Sequence, residues 1–177
     1  MFDRHPKYIL AVLLLLLFGC ASRQQLSQHQ EPCTPLNSDK FLERPFYVDL
    51  KIDSVRRVYG NRLTLTRFLR KVDGDGHKKD TIYRFHNRHT SLVFYKTAAG
   101  EQSFLTSKIA DESVELRHCI RVGISRIELE ERISDFPSNF RDTVTLQNSS
   151  RQAVFVFDES KLKAVFINNF FNNTGRQ

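Results

Sequence analysis

The first residues that could do chemistry are acidic and closely spaced. Asp73 and Asp75 alternate with glycines in the stretch DGDGHKKD, as at the start of a calcium-binding loop. An EF-hand loop would continue with Asp or Asn at position 77, Gly at 78 and Glu at 84, because Ca²⁺ prefers oxygen ligands. The chain has His77, Lys78 and Arg84 there. Residues 73–80 are therefore predicted to form a solvated turn between two strands.

Three histidines are the next candidates, as zinc ligands. His77, His86 and His89 lie close together, and the last two have H-x-x-H spacing. Zinc ligands at that spacing normally lie on a helix and need a third ligand, whereas these residues are surrounded by patterns typical of strand and loop. Arg84 and Arg88 would also repel a metal cation. We predict neither a metal site nor a cofactor, since no glycine-rich phosphate loop is present either.

Ser125 could be a nucleophile, because Gly123-Ile124-Ser125 is half of a nucleophile elbow. The second glycine of that motif is missing, and position 127 is Ile. Ser125 followed by Glu128 is instead a capping-box pattern, which predicts a helix over about 125–134. The glutamates of this helix would lie on its solvated face. We therefore predict no catalytic residue, and a cell-wall-directed enzyme remains an alternative.

Cys20 follows a segment with the features of an export signal. Arg4 and Lys7 precede an apolar run, Ile9–Phe18, of 10 residues. A spanning helix needs roughly 20 residues, so the run is better suited to a cleaved secretory signal. A cysteine thiolate is a good nucleophile and can accept an acyl group.

The residues Leu17-Phe18-Gly19-Cys20 resemble the lipobox of bacterial lipoproteins, with Phe18 where that family usually has a small residue. The resemblance implies cleavage after residue 19, a signal peptide over 1–19, and acylation of Cys20, including palmitate. Ala21 follows the cysteine, which by the same resemblance implies sorting to the outer membrane, facing the periplasm. The alternatives are an ordinary secretory signal cut near Ala21 and an uncleaved anchor.

Cys33 and Cys119 are the two cysteines that remain if Cys20 is acylated. An even pair in an oxidising compartment predicts a disulfide. Two free thiols, or Cys119 as a small buried apolar residue, are the alternatives.

Composition and periodicity predict the elements around these residues. Residues 20–44 are polar and are predicted to form a lipidated flexible tether, residues 45–170 one β-rich α+β domain, and residues 171–177 a frayed end. Alternation predicts antiparallel strands with at least one packed helix. The strands are expected at Phe46–Asp53, Arg62–Phe68, Thr81–Phe85, Leu92–Tyr95, Gln102–Leu105, Thr143–Leu146, Ala153–Phe157 and Leu162–Ile167. Turns are expected at Ala98–Gly100 and Asp158–Ser160.

Positive charge is concentrated in one part of the domain. The formal net charge is +7, and residues 51–96 hold 12 Lys or Arg against 4 Asp. Such a segment favours an anionic partner: lipid head groups, an envelope polymer or an acidic protein. A solvated strand face is the alternative, and the compartment argues against nucleic acid. The predicted contact residues are Arg56, Arg57, Arg67, Arg84 and Arg88.

The segments IRVGISRIELEERI and AVFVFDESKLKAVFI resemble the C-terminal unit of SmpA/OmlA-like (BamE-like) small envelope lipoproteins. Gly123-Ile124-Ser125 and Leu162–Phe166 occupy the places of that family's helix start and final hairpin. The resemblance implies a helix followed by three antiparallel strands, and it carries over no functional residue.

Taken together, these features predict a lipoprotein anchored through Cys20 in the outer membrane. Its role would be non-catalytic: binding, scaffolding or assembly, with an envelope protein or an anionic polymer as partner. An alternative is a lipoprotein that binds an apolar ligand in a β-rich cavity lined by its phenylalanines.

Overall fold

The computed structural model describes residues 33–72, 75–138 and 141–170, without the side chains of residues 72–78. The elements along the chain are α1 (Ser38–Glu43), α2 (Ile52–Tyr59), β1 (Thr64–Val72), β2 (Asp75–His86), β3 (Ser91–Lys96), β4 (Gln102–Ile109), α3 (Arg126–Arg132), β5 (Thr143–Gln147), β6 (Arg151–Asp158) and β7 (Lys161–Asn169). The predicted signal peptide, Cys20 and the predicted frayed end all lie outside the described residues.

One seven-stranded antiparallel sheet organises the domain, in the order β1-β2-β3-β4-β7-β6-β5. Chain neighbours pair as hairpins within each half, and β4 pairs with β7 where the two halves meet. The predicted β-rich α+β class with a packed helix is therefore confirmed. So are the predicted strands, with the exception of the first, and the turn at Ala98–Gly100.

The core lies on one face of the sheet, which we call the inner face. Phenylalanine rings contact one another along it with centroids 5.4–6.2 Å apart, the spacing of favourable aromatic pairs. Buried side chains of the helices cover the same core, among them Phe41 of α1, Val55 of α2 and Leu129 of α3. Each such burial contributes roughly 1.5–3 kcal/mol, so the helices are held by packing.

The predicted strand at Phe46–Asp53 is wrong. Only Phe46 makes a bridge, to Leu116, and α2 begins at Ile52. Ile52, Val55 and Tyr59 are buried at helical spacing. The alternation that indicated a strand arises because Phe46 is buried, and Val48 and Leu50 pack against the core, without a neighbouring strand to pair with.

The predicted tether extends too far along the chain. Residues 38–43 form α1, whose Phe41 and Leu42 are fully buried, so the domain begins before residue 45. Asn37 caps the helix by accepting a hydrogen bond from the Lys40 N–H at 2.9 Å. Over residues 37–43, the polar residues belong to the cap and the exposed side of this short helix; residues 20–32 lie outside the described residues.

The predicted turn at 73–80 is also too long. β2 begins at Asp75 and pairs with β1 from there onward, while residues 73 and 74 lie outside the description. The predicted hairpin turn between β6 and β7 is confirmed. Glu159 and Ser160 both have positive φ, 47° and 65°, as two-residue hairpin turns of the primed type require.

Candidate functional site

A disulfide joins the start of the described chain to a turn in the second half. Cys33 and Cys119 are bonded with a Cα–Cα distance of 5.6 Å, within the normal range. Cys119 lies in a tight turn in which it and His118 both have positive φ, 60° and 58°. The predicted pairing is therefore present, and it closes a loop with a sequence separation of 86.

Hydrogen bonds hold the residues beside the disulfide against α3. Nη1 of Arg132 donates to the Cys33 carbonyl at 3.1 Å, and the Leu36 N–H donates to the Arg132 carbonyl at 3.0 Å. Nδ1 of His118 lies 2.9 Å from the Thr34 carbonyl oxygen. Any tether that precedes Cys33 therefore joins the domain at a point that is held by the disulfide and by hydrogen bonds.

The five predicted contact arginines do not share one face. Arg67 pairs across strands with Tyr83, whose ring packs against the core, so Arg67 belongs to the inner face near the sheet edge. Arg84 is one residue along and therefore lies on the opposite, outer face. Arg56 and Arg57 are exposed on α2, and Arg88 is exposed in the β2–β3 loop.

A second cluster of exposed apolar and basic side chains lies along the β1–β2 hairpin, and sequence reasoning missed it. Phe68 is 51% exposed and Leu69 is 69% exposed. Arg70, Lys71 and Lys79 surround them and are exposed. One signal was available: Phe68 and Leu69 are consecutive, so in a strand they cannot both face the core.

The H-x-x-H stretch forms a structural loop. Between its histidines, Asn87 Oδ1 accepts hydrogen bonds from the His89 N–H at 2.8 Å and the Thr90 N–H at 2.7 Å. Nε2 of His86 lies 2.9 Å from the Thr66 hydroxyl oxygen. The side chain of His77 lies outside the description. Within the described part of the chain, no three His, Cys, Asp or Glu side chains group closely enough to hold a metal ion.

Asp111 ties this loop to the segment after β4. Its carboxylate accepts hydrogen bonds from Asn87 Nδ2 and the Thr90 hydroxyl, both at 2.8 Å, and from the Ser113 N–H at 2.9 Å and hydroxyl. Burial is the largest single influence and raises the pKa of Asp111, but the hydrogen bonds from Ser113, Thr90 and Asn87 together outweigh it. The pKa of Asp111 is therefore lowered from its ordinary value.

Ser125 is a helix cap. The Glu128 N–H donates to Ser125 Oγ at 3.2 Å, and the Ser125 N–H donates back to Glu128 Oε2 at 2.8 Å. The hydrogen bond from the Ser125 N–H is the main reason that the pKa of Glu128 is lowered. The predicted capping box is confirmed, and the helix ends at Arg132, two residues before the predicted end.

Two partly or fully buried arginines, Arg126 and Arg151, hold elements together, and no sequence pattern predicted their role. The Arg126 guanidinium lies 4.0 Å from the centre of the Phe157 ring and donates to the Arg141 carbonyl. Arg151 donates to the Leu42 carbonyl at 2.6 Å and to the Glu43 carbonyl at 3.1 Å. These are the free carbonyls at the end of α1, where a cation is favoured. Burial lowers the pKa of Arg151.

A surface groove of about 270 Å³ lies along residues 43–50. Pro45, Phe46, Val48 and Leu50 supply its apolar lining, and Arg44 and Asp49 form an exposed ion pair at 3.4 Å on the same segment. The phenylalanines that the apolar-ligand hypothesis would place around a cavity pack against one another instead.

Comparisons of the chain with protein-family models, with curated proteins and with solved structures found no match. The resemblances to bacterial lipoproteins and to SmpA/OmlA-like proteins therefore stay predictions. In the ranges that the structure describes, no helix has the length and apolar character needed to cross a bilayer.

Proposed function

We propose that the chain is a lipoprotein anchored through Cys20 in the outer membrane, with its domain facing the periplasm in a non-catalytic binding, scaffolding or assembly role. The observation that carries this proposal is the distribution of the three cysteines. Cys33 and Cys119 bond to each other, which leaves Cys20, in its lipobox-like setting, as the thiol available for acylation. Disulfides persist in oxidising compartments such as the periplasm.

The distance from anchor to domain follows from the same residues. Cys33 is 13 positions after Cys20 in the chain, and at full extension this span is about 45 Å. The disulfide fixes Cys33 to the domain, so the domain would work within that distance of the bilayer.

A binding role is supported by the surface of the domain. Exposed cations on α2, β1, β2 and the β2–β3 loop offer contacts to an anionic envelope partner, either an acidic protein or an anionic polymer. Ser125, which the sequence offered as a candidate catalytic nucleophile, is engaged in a helix cap.

Metabolic labelling with palmitate tests the anchor. The wild-type chain should be labelled and should fractionate with outer membranes, whereas a Cys20→Ser variant should remain unlabelled. The matched control is the Cys33→Ser/Cys119→Ser double variant, which should still be labelled. Labelling that persists after Cys20→Ser, or that disappears in the control, would contradict the proposal.

A further inference from the structure

The two edges of the sheet differ in length. The edge strands are β1 and β5; β5 has five residues, whereas β1 has nine, Thr64–Val72. Among the described residues, the backbone of β1 hydrogen-bonds only to β2, so the N–H and C=O groups on its other side are open. A long open edge is a template for pairing with a further strand.

Exposed apolar side chains lie at the middle of this edge. Phe68, the central residue of β1, is 51% exposed, and Leu69 is 69% exposed. As consecutive strand residues they point to opposite faces of the sheet. On the side of β2 they lie opposite Ile82 and Thr81, so their open side is the edge itself. A strand added along the edge would place a side chain beside each of them, whereas a contact on one face would cover only one.

Basic side chains flank the apolar pair along the same edge. Arg67, Arg70 and Lys71 are all exposed. Like charges directly opposite each other destabilise a pair of strands. A strand that pairs with β1 must therefore place an uncharged or acidic residue opposite each of these cations, and this requirement limits its sequence and its register.

A second copy of β1 meets this requirement. A two-fold axis perpendicular to the sheet at Phe68 relates the strand to an antiparallel copy and makes all nine residues overlap. In this register every cation of β1 lies opposite an uncharged residue: Lys71 opposite Leu65, Arg70 opposite Thr66, and Arg67 opposite Leu69.

The neighbouring registers that keep the faces of both sheets aligned do not meet it. An axis at Arg67 would place that arginine opposite itself, and an axis at Leu69 would place Arg67 opposite Lys71. The axis at Phe68 also sets the two Phe68 rings side by side, and cross-strand aromatic pairs are stabilising. Arg70 lies diagonally across from the ring of the second copy, within reach of a cation–π contact.

We propose that the chain forms a homodimer by antiparallel pairing of β1 with β1 of a second copy, about a two-fold axis at Phe68. The two seven-stranded sheets then continue into one another, and the apolar pair of each chain is covered. Only one strand of each chain takes part, so the contact is smaller than a standard interface of about 1,600 Å² and is expected to be reversible. The dimer does not depend on acylation of Cys20.

Single cysteines introduced into the purified full chain test the contact and its register. All variants carry Cys20→Ser, which leaves the introduced thiol beside the native disulfide. After oxidation with copper phenanthroline, Phe68→Cys should run as a covalent dimer on a non-reducing gel. Directly opposite Cα atoms in an antiparallel pair are about 4.5–5.5 Å apart, a distance that a disulfide can bridge.

Mixing two variants tests the register. Arg67→Cys should crosslink to Leu69→Cys, because these positions are opposite each other, and several-fold less to itself, because its own copy is a diagonal neighbour about 7–8 Å away. The positional control is Ile127→Cys, at a site that is 70% exposed on α3, which should stay monomeric.

Sedimentation equilibrium measures the association without a crosslink. Phe68→Arg sets two added charges opposite each other and removes the aromatic pair, so it should weaken the association constant roughly tenfold. The matched control is Val58→Arg, the same change at a site on α2 that is 40% exposed, which should leave the association unchanged.

Three results would overturn the inference. The first is crosslinking of Phe68→Cys no stronger than that of Ile127→Cys, and the second is equal crosslinking of Arg67→Cys to itself and to Leu69→Cys. The third is an equal loss of association in the two arginine variants. A chain that stays monomeric and binds soluble polyglutamate would overturn it too, and would indicate an acidic protein as the partner of this edge.

Discussion

Removing the Cys33–Cys119 disulfide should destabilise the domain mainly by raising the conformational entropy of the unfolded chain. The bond closes a loop with a sequence separation of 86, which in the chain-entropy model corresponds to about 15 cal/mol/K, or about 4.6 kcal/mol at 25 °C. The perturbation is the Cys33→Ala/Cys119→Ala double variant, which leaves no free thiol at either position.

The folded state should lose much less from this change. Cys33 is exposed and Cys119 is half-buried, so alanine leaves no large cavity at either position. The Leu36 N–H still donates to the Arg132 carbonyl, and the Ser134 N–H still donates to the Leu36 carbonyl. The fully buried Phe41 continues to hold α1 in the core.

Urea unfolding followed by circular dichroism measures the difference in free energy. The double variant should unfold in one transition at a lower urea midpoint. Its unfolding free energy should fall more steeply per molar urea, because its unfolded chain is more expanded. Wild-type protein unfolded in the presence of a reductant is the control and should match the variant. A loss below about 1 kcal/mol would refute the loop-closure argument. A separate early transition of the N-terminal residues would refute the claim that packing holds α1 in place.

Three further changes test other contacts. Asp111→Asn should lower the free energy of unfolding by about 1–3 kcal/mol at neutral pH. Because folding lowers the pKa of Asp111, its contribution to stability is complete above its ordinary pKa of 3.8 and is lost as the pH falls further. The unfolding free energy of the variant should therefore change less with pH in the acid range. Burial raises the pKa of Tyr59 to about 12. The unfolding free energy of the wild type should therefore fall by about 3 kcal/mol as the pH rises from 10 to 12. In melting experiments at pH 7 and 11, Tyr59→Phe should remove that pH-dependent loss. Arg126→Met should lower the unfolding free energy by roughly 2 kcal/mol, because it removes a charge-assisted hydrogen bond and the contact with the Phe157 ring, and an unchanged urea midpoint would contradict this.

Local patterns predicted the elements whose signals are local. The hairpin from β6 to β7 and the capped α3 were readable because turn and cap chemistry depend on residues three or four positions apart. The segment Phe46–Asp53 was misread because burial on alternate residues also occurs in an extended segment that packs without pairing. Only Ile52, Val55 and Tyr59 together carry the helical spacing.

The surface features depend on distant parts of the chain, so the sequence alone could not specify them. Arg151 is half-buried because it reaches the end of α1, more than 100 residues earlier in the chain. Phe68 and Leu69 are exposed on β1, which is the edge strand of the sheet and pairs only with β2 among the described strands. The strand order sets which strand lies at the edge, so the composition of β1 alone cannot distinguish an edge strand from a central one.

The position of the disulfide has a mechanical consequence for an anchored domain. A pull on a tether ahead of Cys33 would reach α1 first along the backbone, and α1 has six residues held mainly by Phe41 and Leu42. The bond to Cys119 offers a covalent route around α1 into the second half of the domain. The disulfide would then keep α1 packed in the core when the anchor is under load.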